Sequence, residues 1–473
     1  MNSDSYKKEA HETAETALYN TIANVISMAF GILAVPIITR IISTGDVGIA
    51  NTFVVTRNVI AIIVALGTYA FVYKAMLEFK SVKKDYLFSI SIFCIFAAAV
   101  FFVAILPFRQ FIQEALSLTD FLFYWLVPSI IGYSIYFIAS YCCIFHNKSK
   151  ITAAMVIAIG PVAQVASILL AYFMPIEKYI GRVIGLDFPM MLITVIFLLW
   201  LVGHNGRHFR LKYIIYTLKY SLALIPHALS QTLLAQLDLL MISFFIGESA
   251  AGIYSMGCTI GLLAYTAMAQ IMASWSTWVY RRLDEKQLAP VKKNSALILT
   301  IGLLLSIALV FMSPELVTVF LPSDYKYAVY VIMPLVAGNF FQFIYLFFYD
   351  IGYYNKKTTA IAAASIITAL FNFILNLVFI PMYGFIAAAY TTLASYALLA
   401  LLNYLIVRHS NVKSIYNLKF MLFLSVMCLV LAICAYLLID YIAIRYMLLA
   451  ILIIIIFKYS GKRMIQLLKG FRS

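Results

Sequence analysis

Long apolar stretches alternate with short polar ones along almost the whole chain. Fourteen of the apolar stretches approach or exceed the roughly 20 residues that a helix needs to cross a bilayer. They predict transmembrane helices over residues 17–43, 48–77, 86–107, 121–145, 151–173, 183–203, 218–246, 252–278, 296–321, 327–353, 358–381, 384–407, 420–439 and 442–457. The pattern is typical of an all-α polytopic membrane protein.

Composition agrees with this prediction and excludes an ordinary soluble protein. Apolar residues make up 64% of the chain and charged residues 11%, and the mean hydropathy is +0.98. Such a chain cannot cover a globule with water-facing side chains. The 6 cysteines all fall in apolar stretches, where packing against lipid or neighbouring helices is the expected role.

The net charge of +15 is explained by membrane topology. Of the 34 Lys and Arg residues, five fall in outer segments and four within or beside spans when the N-terminus is placed in the cytoplasm. The remaining 25 fall in cytoplasmic segments. The positive-inside rule therefore predicts that both termini are cytoplasmic, and the charge does not indicate nucleic-acid binding.

Several short motifs recur about 205 residues apart and predict an internal duplication. The pair Gly48-Ile49 recurs as Gly252-Ile253, and prolines recur at the ends or middles of corresponding predicted helices. The recurring prolines are Pro107 and Pro314, which we expect to end helices three and nine, then Pro128 and Pro334, and Pro175 and Pro381. Because each repeat has six spans, the two should be parallel, with a cavity between them.

This duplication sets the predicted domain boundaries. Residues 1–16 form a cytoplasmic segment, 17–213 the first six-helix repeat and 214–407 the second. Residues 408–457 supply two additional transmembrane helices, and 458–473 a basic cytoplasmic tail.

Charged residues inside the predicted spans are candidates for a transport pathway, because buried charges are costly in a bilayer. Arg57 lies about 13 Å below the outer end of helix two, at 1.5 Å per residue. It is either a cation of the cavity or one half of a structural ion pair, with Asp238 as the simplest partner. Arg40 and Lys74 lie nearer the interfaces, where their side chains could instead reach the headgroups.

Uncharged polar residues form stripes on several predicted helices and indicate a hydrated cavity or hydrogen bonding between helices. Candidate substrate contacts are Asn24, Gln231, Gln270, Asn372 and Asn376, together with Arg57, Arg40 and Lys74. Candidate ion-coupling residues are Asp238, Asp350 and His227. The sequence contains no spacing that is typical of a metal site or a catalytic centre, so neither is expected.

Two passages of the sequence carry recognisable motifs. In the first, Asn372 and Asn376 are followed by Ile380-Pro381 and Gly384, and in the second, Pro36 is followed by Thr39-Arg40 and Gly48. The first resembles the "N-x-x-x-N…IP-x-x-G" passage of Wzx-type polysaccharide flippases, and the second is similar to that family's opening motif. These flippases belong to the multidrug/oligosaccharidyl-lipid/polysaccharide (MOP) exporter superfamily, which also contains the MATE drug exporters and the lipid II flippase.

The resemblance implies a transporter and not an enzyme. Its expected substrate is an undecaprenyl-diphosphate-linked oligosaccharide used for O-antigen, capsule or exopolysaccharide, moved by alternating access across the bacterial cytoplasmic membrane. Membrane lipids, a polysaccharide polymerase and chain-length machinery are the expected partners, no cofactor is expected, and coupling to H⁺ or Na⁺ is left open. A MATE-like cation-coupled drug exporter and, less favoured, a membrane-embedded polymerase are the alternatives.

Overall fold

In a computed structural model the chain folds into helices joined by short connections. The structure describes residues 3–79, 82–204, 208–222, 225–410 and 415–470, without the side chains of 3–18, 227, 456–457 and 459–470. All regular secondary structure in these ranges is helical. The predicted all-α class is therefore confirmed.

The α-helices of the described ranges are numbered here in chain order. They are α1 (Ser3–Ile41), α2 (Thr44–Val64), α3 (Thr68–Glu78), α4 (Lys83–Ile105), α5 (Arg109–Ala115), α6 (Asp120–Phe145), α7 (Ser149–Ile157), α8 (Ala163–Phe173), α9 (Lys178–Gly203), α10 (Leu211–Ser221), α11 (Ile225–Phe245), α12 (Glu248–Asp284), α13 (Leu288–Phe320), α14 (Ala328–Tyr354), α15 (Thr358–Tyr383), α16 (Ile386–Val407), α17 (Leu418–Leu437) and α18 (Ile442–Gly470). Short 3₁₀ turns lie at Leu106–Phe108 and Ser323–Tyr325, and a π-turn at Ala158–Val162 joins α7 to α8.

Thirteen helical segments within the described ranges are long and apolar enough to cross a membrane. The fourteenth predicted span corresponds to the shorter apolar segment Ile442–Ile455 at the start of α18. Many large apolar side chains on these helices are exposed, as expected for surfaces that face lipid.

The structure corrects two predicted spans and one predicted helix end. The span 48–77 is interrupted between α2 and α3, where Leu66 and Gly67 have φ of 49° and 62°. The span 218–246 is also interrupted, since α10 ends at Ser221 and Leu222 lies in a turn; residues 223–224 lie outside the described ranges, and α11 is described from Ile225. Pro314 does not end its helix, because α13 continues to Phe320. Transporter helices tolerate such breaks and internal prolines when neighbouring groups satisfy the freed backbone.

The N-terminus of α2 is fixed by local sequence. The Ser43 hydroxyl accepts a hydrogen bond from the Asp46 amide, and the Asp46 carboxylate accepts one from the Ser43 amide. This reciprocal capping box satisfies two amides that the first turn would otherwise leave unpaired. It places Gly48 one turn into the helix.

Gly48 and Gly252 allow α2 and the start of α12 to touch backbone to backbone. A Cβ on Gly48 would overlap the Glu248 carbonyl, and a Cβ on Gly252 would overlap the Thr44 carbonyl. The offset of 204 residues between the two Gly-Ile pairs relates Gly48 to Gly252 and also Thr44 to Glu248. The contact is therefore reciprocal, although the duplication itself stays a prediction.

The chain divides into two compact units, Met1–Gly252 and Ile253–Ser473. Within the first unit α11 packs against α2, α9 packs against both α6 and α8, and α3 packs against α6 and α10. Within the second unit α14 and α16 pack together, and α13 packs against α14, α17 and α18. This division follows the packing of the helices. The repeat boundary at 213/214 comes from the sequence motifs and stays a prediction.

Candidate functional site

Arg57 is the centre of a buried polar cluster in the first unit. It lies on α2 and is only 5% exposed. Its guanidinium forms an ion pair with Asp187 of α9 and donates to the side-chain oxygen of Asn58 from Nε at 3.2 Å and Nη2 at 3.0 Å. The guanidinium carbon lies 5.2 Å from the centre of the Tyr133 ring, within cation–π range.

Asp187 is held by groups besides Arg57. Its carboxylate accepts a hydrogen bond from Trp125 Nε1 at 3.0 Å and from Ser129 Oγ at 2.6 Å, both on α6. The carboxylate is 2% exposed. Two neutral donors therefore remain on Asp187 if the guanidinium moves away, so the carboxylate would not be left without partners.

The ion-pair partner of Arg57 differs from the one the sequence suggested. Asp238 had been the simplest partner, but the guanidinium pairs with Asp187, which sequence reasoning did not single out. The available signal was an acidic residue within the apolar stretch 183–203. Asp238 itself is buried on α11.

A weaker hydrogen bond extends the Arg57 cluster to α11. Asn58 Nδ2 donates to Gln236 Oε1 at 3.4 Å. The predicted contact Gln231 lies on the same helix and is half-buried. The side chain of His227, a predicted coupling residue, lies outside the described residues.

The other predicted cations do not lie in this buried cluster. Arg40 is exposed at the end of α1, where its Nη1 donates to the Pro36 carbonyl at 2.7 Å. Lys74 is exposed on α3, with its ammonium 5.6 Å and 5.7 Å from the ring centres of Phe71 and Tyr220. Asn24 is exposed on α1.

Asn372 and Asn376 form a second buried polar group, in the second unit. Asn376 Nδ2 donates to Asn372 Oδ1 at 3.1 Å, and the Thr391 hydroxyl of α16 donates to Asn376 Oδ1. Both asparagines are 0% exposed, and Asn372 Nδ2 has no acceptor among the described residues. This group links α15 to α16 and leaves the Asn372 amide nitrogen without an acceptor among the described residues.

Asp350 is a buried acid on α14. It is 3% exposed and accepts hydrogen bonds from Ser276 Oγ at 2.9 Å and from the Tyr280 hydroxyl at 3.0 Å. Gln270, on the same helix as these two donors, is half-buried. A buried carboxylate whose donors among the described residues are neutral hydroxyls can exchange a proton or a small cation.

No cluster of three or more metal-ligating side chains occurs in the part of the chain that the structure describes.

Comparisons with known proteins give the family and the fold. Residues 14–275, more than half of the chain, match the profile of the family described as "Polysaccharide biosynthesis protein". No curated protein sequence matches the chain significantly.

Three solved structures illustrate the likeness in fold. The lipid II flippase MurJ in an inward closed conformation has a TM-score of 0.72 at 16% identity, covering 94% of this chain and 99% of that one. An inward-facing MATE family multidrug resistance transporter of the MOP superfamily has a TM-score of 0.58 at 11% identity, covering 82% and 95%. A point mutant of the Vibrio cholerae MATE transporter VcmN has a TM-score of 0.52 at 12% identity, covering 85% and 98%.

The match over residues 14–275 and the structural likeness agree with each other. The chain belongs to the polysaccharide biosynthesis protein family, and its fold is that of the MOP-superfamily transporters.

Proposed function

We propose that this protein is a flippase that moves an undecaprenyl-diphosphate-linked oligosaccharide across the bacterial cytoplasmic membrane by alternating access. The observation that carries the proposal is the buried Arg57 cluster in a chain of the polysaccharide biosynthesis family. A diphosphate needs a cation as it passes through the bilayer, and Arg57 supplies a buried guanidinium beside aromatic side chains in the first unit. No comparable observation supports the alternative in which the protein is a polymerase.

In this proposal Arg57 exchanges partners during transport. A buried arginine without a counter-charge is costly, so Asp187 neutralises it in the absence of substrate. Only three of the five guanidinium N–H donors have acceptors among the described residues. The remaining two can donate to a phosphate oxygen, and guanidinium is suited to binding phosphate with two parallel hydrogen bonds.

The release of Asp187 is made less costly by its other donors. Trp125 and Ser129 continue to donate to its carboxylate after the guanidinium has turned towards the diphosphate. A buried acceptor that keeps two hydrogen bonds avoids most of the penalty of an unsatisfied one. The pair is therefore suited to opening and closing in each transport cycle.

Aromatic side chains beside Arg57 supply surfaces for sugar rings. The Tyr133 ring lies under the guanidinium, and Tyr69 lies against both Tyr133 and Phe137, with ring centres 6.3 Å and 5.4 Å away. Their flat, apolar faces can pack on pyranose rings while the hydroxyl groups donate hydrogen bonds. We assign saccharide contacts to this group, and to Gln231, Gln270, Asn372 and Asn376 as secondary candidates.

We propose Asp350 and Asp238 as the residues that couple transport to a proton or sodium gradient, with Asp350 favoured for its neutral hydroxyl donors. The polysaccharide polymerase and the chain-length machinery are the proposed partners, because they consume a flipped repeat unit. The proposed orientation places both termini in the cytoplasm.

The test is the pool of lipid-linked oligosaccharides in cells depleted of this protein. We expect undecaprenyl-diphosphate repeat units to accumulate on the cytoplasmic face while surface polysaccharide is lost, and wild-type protein to reverse both changes. Arg57→Gln should fail to reverse them although it reaches the membrane. An unchanged pool and surface, in cells without a second flippase, would refute the proposal, and altered drug accumulation in those cells would favour the exporter alternative.

A further inference from the structure

A separate cavity of about 920 Å³ lies at one end of the first unit, between the start of α4, the ends of α6 and α9, and the start of α7. This is the end of the helices that the positive-inside rule predicts to be cytoplasmic. Neither Arg57 nor Asp187 lines the cavity. It is therefore distinct from the site proposed for transport.

The inner wall of the cavity is apolar. Leu87, Met155 and Phe197 line it and are buried. Ile151 and Ile196 line its outer part and are 50% and 58% exposed. An apolar wall that runs from a buried floor to exposed isoleucines on membrane helices is suited to a hydrocarbon chain that enters from the surrounding lipid.

The mouth of the cavity is basic. Lys83, Lys84 and Lys148 line it together with His146 and His204. None of the three lysines has an ion-pair partner among the described residues. The lining acid, Asp85, is engaged by His208, whose Nδ1 lies 3.3 Å from its carboxylate. Three lysines and one carboxylate line the mouth, which therefore carries a net positive charge.

One interaction each positions Lys83 and Lys84 at this mouth. The Lys83 ammonium lies 4.3 Å from the centre of the Phe145 ring, and the Lys84 ammonium donates to the His204 carbonyl at 3.2 Å. Each ammonium has three N–H donors, so both keep donors for an anion.

The lining also disfavours a sugar as the ligand. Among the described residues that line the cavity there is no Asn, Gln, Ser or Thr, whose amide and hydroxyl groups commonly bind sugar hydroxyls, and the aromatic side chains are Phe197 and Trp200. The cavity thus offers cations for a phosphate group and an apolar wall for a chain, with no side-chain amide or aliphatic hydroxyl among its described residues for a saccharide.

From this combination we infer that the cavity is a binding site for an anionic glycerophospholipid of the inner leaflet. Its phosphate lies against Lys83, Lys84 and Lys148, and an acyl chain lies along the apolar wall. Basic pockets between transmembrane helices on the cytoplasmic side bind anionic headgroups in this way. The inference does not depend on what the chain transports.

The test is lipid binding to the purified full-length protein in detergent, measured by native mass spectrometry. Phosphatidylglycerol and phosphatidylethanolamine with identical acyl chains are added at equal concentrations. We expect the wild-type protein to bind phosphatidylglycerol preferentially. K83Q/K84Q/K148Q should lose at least about tenfold in phosphatidylglycerol affinity, since one lysine near a lipid headgroup contributes about fivefold.

Two further variants test whether the effect depends on the position of the lysines and on the apolar wall. K286Q/K292Q/K293Q removes three exposed lysines of the second unit and should keep the preference. Ile196→Trp fills the apolar wall without changing charge and should weaken binding of both lipids.

Three results would overturn the inference. The first is an unchanged phosphatidylglycerol preference in K83Q/K84Q/K148Q, and the second is an equal loss in K286Q/K292Q/K293Q. The third is displacement of phosphatidylglycerol by a polyprenyl-diphosphate oligosaccharide at equal or lower concentration, which would assign the cavity to the transported substrate. Weaker competition by that oligosaccharide supports the phospholipid.

Discussion

Removing the negative charge of Asp187 tests whether Arg57 binds substrate or only stabilises the fold. Asp187→Asn keeps the shape of the side chain but leaves the Arg57 guanidinium buried and without its counter-charge. Breaking a buried ion pair by removing one partner costs about 3 to 5 kcal/mol. We expect Asp187→Asn to lower the free energy of unfolding by an amount of this order and to reduce transport.

The double variant R57Q/D187N separates the two roles. Because it removes both charges, no unpaired ion remains, so the large cost of leaving one buried charge without its partner is absent. We expect its unfolding free energy to lie within about 1 kcal/mol of the wild-type value, which is non-additive behaviour typical of contacting residues. Transport should nevertheless stay lost, because the cation that binds the diphosphate is missing.

Two measurements decide the outcome. Denaturant unfolding of the purified protein in detergent gives the stabilities of the two single variants and the double variant. Recovery of surface polysaccharide in depleted cells, at matched membrane levels of protein, gives their transport.

The second unit contains a matched control for this experiment. The buried Arg445 of α18 forms an ion pair with Glu315 of α13, with Nη1 2.9 Å from Oε2, and also donates to the Phe311 carbonyl. We expect R445Q/E315Q to retain both stability and transport, since this pair serves the packing of two helices. Full transport by R57Q/D187N would refute the role of Arg57 in substrate binding and leave the ion pair as a structural element.

Three further predictions concern other parts of the chain. Gly48→Ala should lower the free energy of unfolding by about 1 to 3 kcal/mol or more, because its Cβ overlaps the Glu248 carbonyl. Gly31→Ala, where a Cβ meets nothing within 4 Å, should be close to neutral in the same unfolding experiment. Asp350→Asn should abolish the dependence of transport on the coupling gradient, measured as polysaccharide recovery with and without an ionophore, and unchanged dependence would exclude it as the coupling residue. His146 has a pKa below 6.5 owing to partial burial and two nearby lysines, so it disfavours folding as pH falls below 6.5; replacing those lysines by Gln should move the pKa back towards 6.5 in an NMR titration, and an unmoved pKa would contradict this cause.

Hydropathy was sufficient to predict the class of fold and most of the spans. Apolar length is a direct consequence of bilayer thickness, so it is visible in a single sequence. The Gly-Ile echo was also informative, because Gly48 and Gly252 lie at a contact where only glycine leaves room for the opposing backbone. Both the apolar spans and the two glycines could be identified because the residue type itself is dictated by its surroundings, lipid in one case and an opposing backbone in the other.

The partner of Arg57 could not be predicted in this way. The sequence places Arg57 at depth and so predicts that it needs a counter-charge, but it does not say which buried acid lies nearby. Asp187 is 130 residues away in sequence and reaches Arg57 through the packing of α2 and α9. Asp238 satisfied the sequence argument equally well, and only the tertiary structure distinguishes the two.

The two broken helices show a different limit of hydropathy, and they change how the candidate site is divided. The residues beside each break are mostly apolar, so a hydropathy window joins the two sides, although Leu66 and Gly67 have positive φ. The breaks lie side by side, since a Cβ on Gly67 would be 3.2 Å from Ile225 Cγ1 and 3.6 Å from the Ser221 carbonyl.

On one side of these breaks α2 packs with α11, and on the other α3 packs with α10. Arg57 therefore belongs to the first pair of helices and Lys74 to the second. The sequence places both cations on one predicted span, but in the structure they lie on two helices, and each helix packs against a different neighbour. Because no continuous helix joins the two residues, a substitution at Lys74 should change the packing of α3 with α10. A substitution at Arg57 should instead change the ion pair with Asp187.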